Sequence, residues 1–307
     1  MRSIPASAHS AAVRACIIFN PTARGDKARH FRRHLNEYAA DVALKPTQCP
    51  GDGRRLAAEA VRDGFDTVAA AGGDGTVNEV LNGIADAPEG FARARLAVLP
   101  LGTVNVFARE LGLPLQLREA WQVVLNGGER RVDAPFAEFT APDGVRVRRH
   151  FAQLAGAGLD ARAISLVDWQ MKKRVAQLAY VFAGMKAMRG PHPLITVEAD
   201  GQTATGELVL IGNGRFYGGS LPVFPAAKVD DGWLDLCVFP RMSWGLIARY
   251  AFGFVAGAPL VPRDVRMLRV TRARLTATAV PFEVDGDLCG DLPVELGIAP
   301  GVLRVAA

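Results

Sequence analysis

The chain has 307 residues, half of them hydrophobic and 22% charged, with a formal net charge of +5. This length favours two domains over one, and the composition is ordinary for a folded protein. The small positive surplus suits an anionic partner, whereas four cysteines without a CxxC spacing argue against a disulfide framework or a zinc site and favour a reducing cytoplasm.

Neither a secretory leader nor a membrane span is expected. Residues 1–14 are small and polar, without an apolar core. The most apolar stretch, 244–261, is interrupted by Arg249 and Pro259 and is too mixed to cross a bilayer. Nucleic-acid binding is not expected either, since no interleaving of aromatic and basic residues accompanies the mild basicity.

The first ~130 residues alternate between short apolar runs and runs with helical spacing. Strands are predicted at 16–19, 42–44, 67–71 and 96–99, and helices at 31–38, 56–61, 77–84 and 104–111. Such alternation predicts a Rossmann-like α/β domain with a parallel sheet covered on both faces. Ligands bind at the carboxyl ends of such strands, where Asn20 and the turns at 72–76 and 101–103 fall.

The second half reads mainly as short antiparallel strands divided by Gly, Pro and Asp, which predicts a β-sandwich or open barrel. One of these strands is predicted at 145–154, and helices are predicted at 174–188 and 244–256. We therefore expect an α/β domain over 1–134 and a β-rich domain from 135 onward, with a cleft between them.

The first glycine turn, at 72–76, is the strongest chemical signal, and it reads Gly72-Gly73-Asp74-Gly75-Thr76. Such a turn can bring bare N–H groups against phosphates. Thr76 and Glu79 fit a helix capping box, which explains both. Asp74 has no such explanation, so a metal-holding acid is favoured over a solvated turn residue by about two to one.

The second glycine turn, Gly102-Thr103, also precedes a helix. Thr103 is interpreted either as a helix N-cap or as a phosphate ligand. Asn105 and Arg109 follow it near the same sheet edge, and Arg109 either meets phosphate oxygens or is an ordinary surface arginine.

Two groups of acids occur in the second half. Asp230, Asp231 and Asp235 surround a glycine turn, where they either bind a hard cation or form a polar β-turn. Asp285 and Asp287 flank another turn, a weak signal by itself. The GxGxxA match at 156–161 lies in the β-rich half without a ribose-binding acid, so a dinucleotide fingerprint is not favoured.

Taken in chain order, the two glycine turns and the acidic turns resemble the diacylglycerol kinase catalytic-domain family. This family includes bacterial lipid kinases and the sphingosine and ceramide kinases. The pairing of GGDGTVNE at 72–79 with PLGTVNVFAR at 100–109 is specific to it, whereas GGDGT alone is shared with NAD kinases and phosphofructokinases. The resemblance covers nearly the whole chain. It implies two domains with ATP and Mg²⁺ in the cleft, and a last strand, about 298–307, that returns to the first domain and leaves 135–297 as the second.

The resemblance also implies roles for individual residues. Asn20 and the first glycine turn contact the ATP phosphates, and we expect Gly102, Thr103 and Asn105 of the second turn to bind the nucleotide as well. Thr47 and Asn78 help to hold the nucleoside. Asp74 organises Mg²⁺, and Asp231 with Asp235 matches a structural Mg²⁺ site. Asp287 accepts the proton of the lipid hydroxyl, although the family usually carries glutamate at this position.

The expected function is therefore ATP- and Mg²⁺-dependent phosphorylation of a lipid hydroxyl, on a diacylglycerol-like or sphingoid-like acceptor. A NAD kinase-like enzyme and a catalytically silent lipid-binding regulatory protein are the alternatives. The expected partners are a lipid alcohol and the inner membrane surface, contacted transiently through the basic and apolar residues at 169–174. The expected location is cytoplasmic and peripherally membrane-associated, and the sequence leaves open whether the protein is a homodimer.

Overall fold

The structure is a computed structural model, and it describes residues 13–23, 25–34, 42–141, 143–166, 186–190, 192–255 and 265–307. The predicted membrane-contact segment at 169–174 lies outside these residues, as does most of the helix predicted at 174–188. Within the described residues, no helix combines the length and the hydropathy needed to cross a bilayer.

The N-terminal half is the α/β domain that the sequence predicts. Its parallel strands are β1 (Ala15–Phe19), β2 (Ala43–Pro46), β3 (Thr67–Gly72) and β4 (Arg95–Pro100), in the order β2-β1-β3-β4. Its helices are α1 (Asp26–Arg33), α2 (Asp52–Arg62), α3 (Asp74–Asp86), α4 (Gly90–Arg93), α5 (Val106–Glu110) and α6 (Leu117–Asn126).

Both faces of this parallel sheet are buried, which is why its strands read as continuous apolar runs. Alternate side chains of β1 enter different cores, with Ile18 among the side chains of α2 and α3 and Ile17 among those of α1 and α6. The covered faces leave the carboxyl edge of the sheet as the place where polar turns can meet.

The C-terminal half is the antiparallel β-sandwich that the sequence predicts. Its elements are β5 (Glu129–Thr140), β6 (Arg146–His150), β7 (Leu154–Gly158), α7 (Leu159–Ser165), β8 (Ile195–Ala199), β9 (Gln202–Gly206), β10 (Leu208–Gly212), β11 (Phe216–Tyr217), β12 (Leu221–Pro222), β13 (Leu234–Phe239), α8 (Trp244–Val255), β14 (Arg266–Val270), β15 (Arg272–Thr276), β16 (Pro281–Val284), β17 (Asp287–Asp291) and β18 (Val294–Ala306).

One layer of the sandwich has the order β14-β13-β10-β7-β16-β17, and the other continues the N-terminal sheet through β18, β15, β8 and β9. The long strand β18 pairs with β5 along most of its length and meets β4 in parallel at Val305. The C-terminal strand therefore joins the two halves into one large sheet.

The single strand predicted at 145–154 is wrong. The chain leaves the sheet after His150, and β7 begins at Leu154 in the other layer. The backbone N–H groups of Ala152, Gln153 and Leu154 turn toward the carboxylate of Asp285. A buried carboxylate from the far end of the sequence thus fixes this break.

Candidate active site

The two glycine turns lie against each other at the carboxyl edge of the parallel sheet. The N–H groups of Leu101 and Gly102 both donate to the carbonyl oxygen of Gly72, at 3.0 and 3.2 Å. A Cβ atom added to Gly102 would lie 2.5 Å from the Cα of Gly73, so backbone meets backbone here and no side chain fits. The turns form one rigid surface of main-chain groups.

Asn105 braces the second turn from below. Its Oδ1 accepts from Gly102 N at 3.0 Å, and its Nδ2 donates to Gly102 O at 2.7 Å. It is buried and holds a left-handed φ of 53°, at the N-cap of α5. The helix N-cap predicted at Thr103 is therefore wrong, because the left-handed residue delays the helix. Nucleotide contact by Gly102, Thr103 and Asn105 stays a prediction.

Helix α3 begins at Asp74, two residues before the predicted capping box, which is therefore wrong. Its N-cap is Gly73, and no side chain caps the helix. Glu79 instead accepts from Gly51 N at 2.9 Å and from Gly53 N at 2.8 Å, which fixes the start of α2. An N-terminus without a side-chain cap presents its first N–H groups to an anion.

Asp74 lies half-buried between the two turns. Its Oδ1 accepts from Phe107 N at 3.2 Å, which orients the carboxylate across the gap between α3 and α5. Magnesium is commonly held by only one or two carboxylates together with substrate phosphates. A single oriented carboxylate beside an uncapped helix N-terminus fits that requirement.

Two further predicted nucleotide ligands lie at the ends of neighbouring strands. Asn20 follows β1, and its Oδ1 accepts from the N and Oγ1 of Thr22 at 2.8 and 2.9 Å. Thr47 follows β2, and its N–H donates to Phe19 O at 2.9 Å. The parallel pairing of β1 with β2 and β3 brings both to the edge that carries Gly72. Their contacts with a nucleotide stay predictions.

Asn78 is buried in a network that joins the two halves of the protein. Its Nδ2 donates to Asp285 Oδ2 at 2.8 Å and to His150 O at 3.0 Å. Its Oδ1 accepts from the guanidinium of Arg149 at 3.0 Å. Both ends of the amide are therefore engaged by protein groups, and its predicted contact with the nucleoside stays a prediction.

Asp285 is the centre of this network on the C-terminal side. Besides Asn78, its carboxylate accepts from the N–H groups of Ala152, Gln153 and Leu154 at 2.7, 3.0 and 3.0 Å. Burial raises the pKa of Asp285, and these donors oppose the shift. The residue is a clamp that holds its turn against α3.

Asp287, the predicted base, begins β17 with its side chain 56% exposed. Its Oδ2 lies 2.7 Å from a terminal nitrogen of Arg149, the same guanidinium that binds Asn78. One arginine therefore connects the exposed carboxylate to the helix that starts at Asp74. Sequence reasoning missed Arg149, which sits in an arginine-rich strand with no motif to single it out.

The predicted cation site at Asp231 and Asp235 has different partners in the structure. Asp231 pairs with Arg269, and its Oδ1 accepts from Trp233 N at 3.1 Å. Burial raises the pKa of Asp235 to about 6. The described residues contain no group of three acids, histidines or cysteines placed to hold a metal ion. Arg269 neutralises Asp231, whereas Oδ2 of Asp235 is buried without a hydrogen-bond partner among the described residues, and the structural Mg²⁺ stays a prediction.

A buried acid that sequence reasoning missed lies behind that turn. Asp133 accepts from Gly232 N and from Gly301 N, each at 2.7 Å. Desolvation raises the pKa of Asp133, the neighbouring acids add to the shift, and the two N–H donors oppose it. Its role in the described structure is to join the acidic turn to β18.

The paired glycine turns, the uncapped helix and the carboxylate brought across from the β-sandwich define a two-domain kinase. The family model for the diacylglycerol kinase catalytic domain matches residues 14–136. The model for the YegS C-terminal NAD kinase beta sandwich-like domain matches residues 153–307. The chain belongs to the diacylglycerol kinase family.

Similar proteins span almost the same length. The diacylglycerol kinase of Bacillus subtilis (strain 168) is 30% identical, over 92% of this chain and 92% of that protein. A Chromohalobacter salexigens protein named "Probable lipid kinase YegS-like" is 31% identical, over 95% of this chain and 92% of its own length. A crystal structure from Bacillus anthracis str. Sterne, named for a diacylglycerol kinase, superposes with a TM-score of 0.74 at 25% identity and covers 96% of this chain and 97% of that chain.

Proposed function

We propose that this protein transfers the γ-phosphoryl group of ATP to a lipid hydroxyl, with Mg²⁺ bound at Asp74. One observation carries the proposal: the exposed carboxylate of Asp287 is linked through Arg149 to Asn78, one helical turn beyond Asp74. The proposed phosphate-binding surface and the proposed proton acceptor lie on different domains and are connected by these hydrogen bonds. The names of the similar proteins support a lipid acceptor, and diacylglycerol is the first one to test.

The backbone N–H groups of the glycine turns are the proposed phosphate ligands. Phosphoryl transfer has a loose transition state, so the protein mainly positions groups and neutralises charge. The N–H groups at the start of α3 point out of an uncapped helix N-terminus, where an anion is stabilised. The tight packing of Gly102 on Gly73 keeps these donors fixed, so no reorganisation is needed during the reaction.

Asp74 is the proposed ligand for the metal. Mg²⁺ held there would supply positive charge to the transferring phosphoryl group. The hydrogen bond from Phe107 N holds one oxygen of Asp74, and we propose that the other oxygen binds the metal. Asparagine at this position keeps the size of the side chain and removes its charge.

Asp287 is the proposed acceptor of the hydroxyl proton. Arg149 binds its carboxylate, and its exposure leaves it accessible to a lipid hydroxyl. Aspartate is one methylene shorter than the usual glutamate of the family, so its position depends on how the turn at 285–287 is held. A lipid acceptor comes from a membrane, and we propose transient contact with the membrane surface.

Transfer of labelled γ-phosphate from ATP and Mg²⁺ to a total bacterial lipid extract tests the proposal. We expect a chloroform-soluble product that disappears in Asp74→Asn, while Asp287→Asn lowers kcat more than ATP affinity. Asp291→Asn, the same change at an exposed position of the same hairpin, serves as the matched control. Labelling of NAD in place of lipid would favour the NAD kinase-like alternative. Lipid binding without turnover would favour the silent regulatory protein.

A further inference from the structure

Two buried carboxyl groups that the proposed reaction does not use face each other behind the turn at 285–287. Asp160 lies in the first turn of α7, and Glu283 lies in β16 with no exposed surface. Among the described residues, no donor reaches Oδ2 of Asp160 or Oε1 of Glu283. The two carboxyl groups lie within hydrogen-bonding reach of each other.

Gly156 of β7 makes room for this pair. A Cβ atom at Gly156 would collide with Oδ2 of Asp160 and would come within 2.9 Å of Oε1 of Glu283. The two oxygen atoms that lack a donor are therefore the same two that lie close to Gly156. Two ionised carboxylates in such a place repel each other, whereas one proton between them makes a strong hydrogen bond.

The other oxygens of the pair extend the contact in both directions. The Tyr217 hydroxyl donates to Oδ1 of Asp160, and Gly286 N donates to Oε2 of Glu283 at 2.6 Å. Gly286 lies between the clamp Asp285 and the proposed base Asp287. The chain of contacts thus runs from β11 through α7 and β16 into the turn that presents the base.

That turn needs support because its backbone is unusual. Asp285 and Gly286 are consecutive residues with left-handed φ values of 47° and 87°. A non-glycine residue in this region costs free energy and persists only where its surroundings hold it. The Glu283 carboxyl holds the turn from inside the sandwich, opposite the amides that hold Asp285.

We propose that Asp160 and Glu283 share one proton, and that this acid–carboxylate pair is a positioning device for Asp287. The proposal rests on the proposed function only for its effect on turnover. The shared proton itself is a property of the folded chain. It predicts that one carboxyl group of the pair stays protonated at neutral pH.

The main groups that act on the pair are a hydroxyl, a backbone amide and another acid. Asp285 from the turn and Cys289 from β17 add negative or neutral groups, and Tyr217 donates its hydroxyl proton to Asp160. Of the arginines on the adjoining elements, Arg149 of β6 binds Asp287 and Asn78, and Arg162 lies two residues after Asp160 on α7. Burial raises the pKa of both Asp160 and Glu283, in keeping with a retained proton.

Infrared spectroscopy of the full chain at pH 7 tests the shared proton directly. We expect a protonated-carboxyl stretch in the wild type and in Asp291→Asn, and its loss in both Asp160→Asn and Glu283→Gln. In each isostere an amide N–H replaces the shared proton and leaves the partner ionised. Absence of the band in the wild type, or its persistence in both isosteres, overturns the proposal.

The pH dependence of stability gives a second readout that does not require activity. The folded pair keeps its proton at a higher pH than the unfolded chain does, so its contribution is complete below the ordinary carboxyl range and decreases as pH rises. The unfolding temperature of the wild type should therefore fall with rising pH more steeply than that of Asp160→Asn. Equal slopes overturn the shared proton.

Turnover tests the positioning role. Glu283→Ala should lower kcat by about 10²-fold with an unchanged KM for ATP, because the turn loses its inner support. Glu283→Gln, which keeps an oxygen for Gly286 N and a donor for Asp160, should restore most of the loss. Full turnover in Glu283→Ala overturns the positioning role. A wild type without kinase activity instead refutes the proposed function and leaves the infrared and stability measurements to decide the proton.

Discussion

Gly75 differs from Gly72 and Gly73 of the same turn, because a side chain added at Gly75 has free space around it. It is the second residue of α3, and a Cβ atom added there meets no protein atom within 4 Å. Its backbone lies outside the left-handed region, so alanine fits without strain. Replacing glycine by alanine at such a helical site stabilises the fold by about 0.4–1 kcal/mol. Gly75→Ala should therefore fold at least as well as the wild type.

The same methyl group should damage catalysis if phosphates rest on this turn. The space around Gly75 is empty of protein, and it adjoins the first N–H groups of α3. A bound phosphate pushed aside by about 1 Å costs roughly 10²-fold in rate, which corresponds to about 2.7 kcal/mol of activation free energy. We expect Gly75→Ala to combine unchanged or raised stability with this loss in kcat/KM for ATP.

Gly245→Ala is the matched control for this experiment. Gly245 is likewise the second residue of its helix, α8, and its added Cβ atom would find only Ser243 Oγ, at 3.9 Å. Thermal unfolding and ATP-dependent kinetics should be measured on both variants. Equal ATP kinetics in Gly75→Ala and Gly245→Ala would refute the reasoning that this turn binds phosphate. A large loss of stability in Gly75→Ala would refute the steric reasoning.

Arg149→Lys should lower kcat by about 10–10²-fold with little change in ATP affinity, because lysine keeps the charge but cannot bind Asn78 and Asp287 together. Kinetics of a double-mutant cycle with Asp287→Asn check this, and losses that simply add would contradict it. Burial lowers the pKa of His150, whose Nδ1 lies 3.1 Å from Pro135 O. Its contribution to stability is therefore present above the ordinary histidine pKa and is lost as pH falls below it. Unfolding measured from pH 7 to 5 should show a smaller drop in His150→Phe than in the wild type, and parallel curves would disprove this assignment.

The sequence by itself determined the architecture of the first domain. Apolar runs such as 16–19 and 67–71 are long enough and bounded clearly enough to be read as buried parallel strands. Their turns had to fall at one sheet edge because parallel strands end on the same side. Gly72, Gly73 and Gly102 could be singled out locally, since glycine at a strand–helix junction indicates close backbone approach.

Local patterns were misleading where a distant residue competes for the same backbone groups. The capping box at Thr76 and Glu79 is sound by spacing, yet Glu79 binds Gly51 and Gly53 of another helix instead. The strand predicted across 145–154 breaks because Asp285 captures its amides. These competing groups lie far away in the sequence, so local sequence patterns do not indicate them.

Only the tertiary structure decided how the proposed base is held. Asp287 carried a weak signal as one of two acids in a turn, and Arg149 carried none. The two meet, and meet Asn78, because β6, β17 and α3 converge at the junction of the domains. Asp160 and Glu283 likewise become a pair only when α7 packs on β16 above Gly156. Sequence order fixes which residues are present, whereas burial and long-range packing decide which of them share a hydrogen bond or a proton.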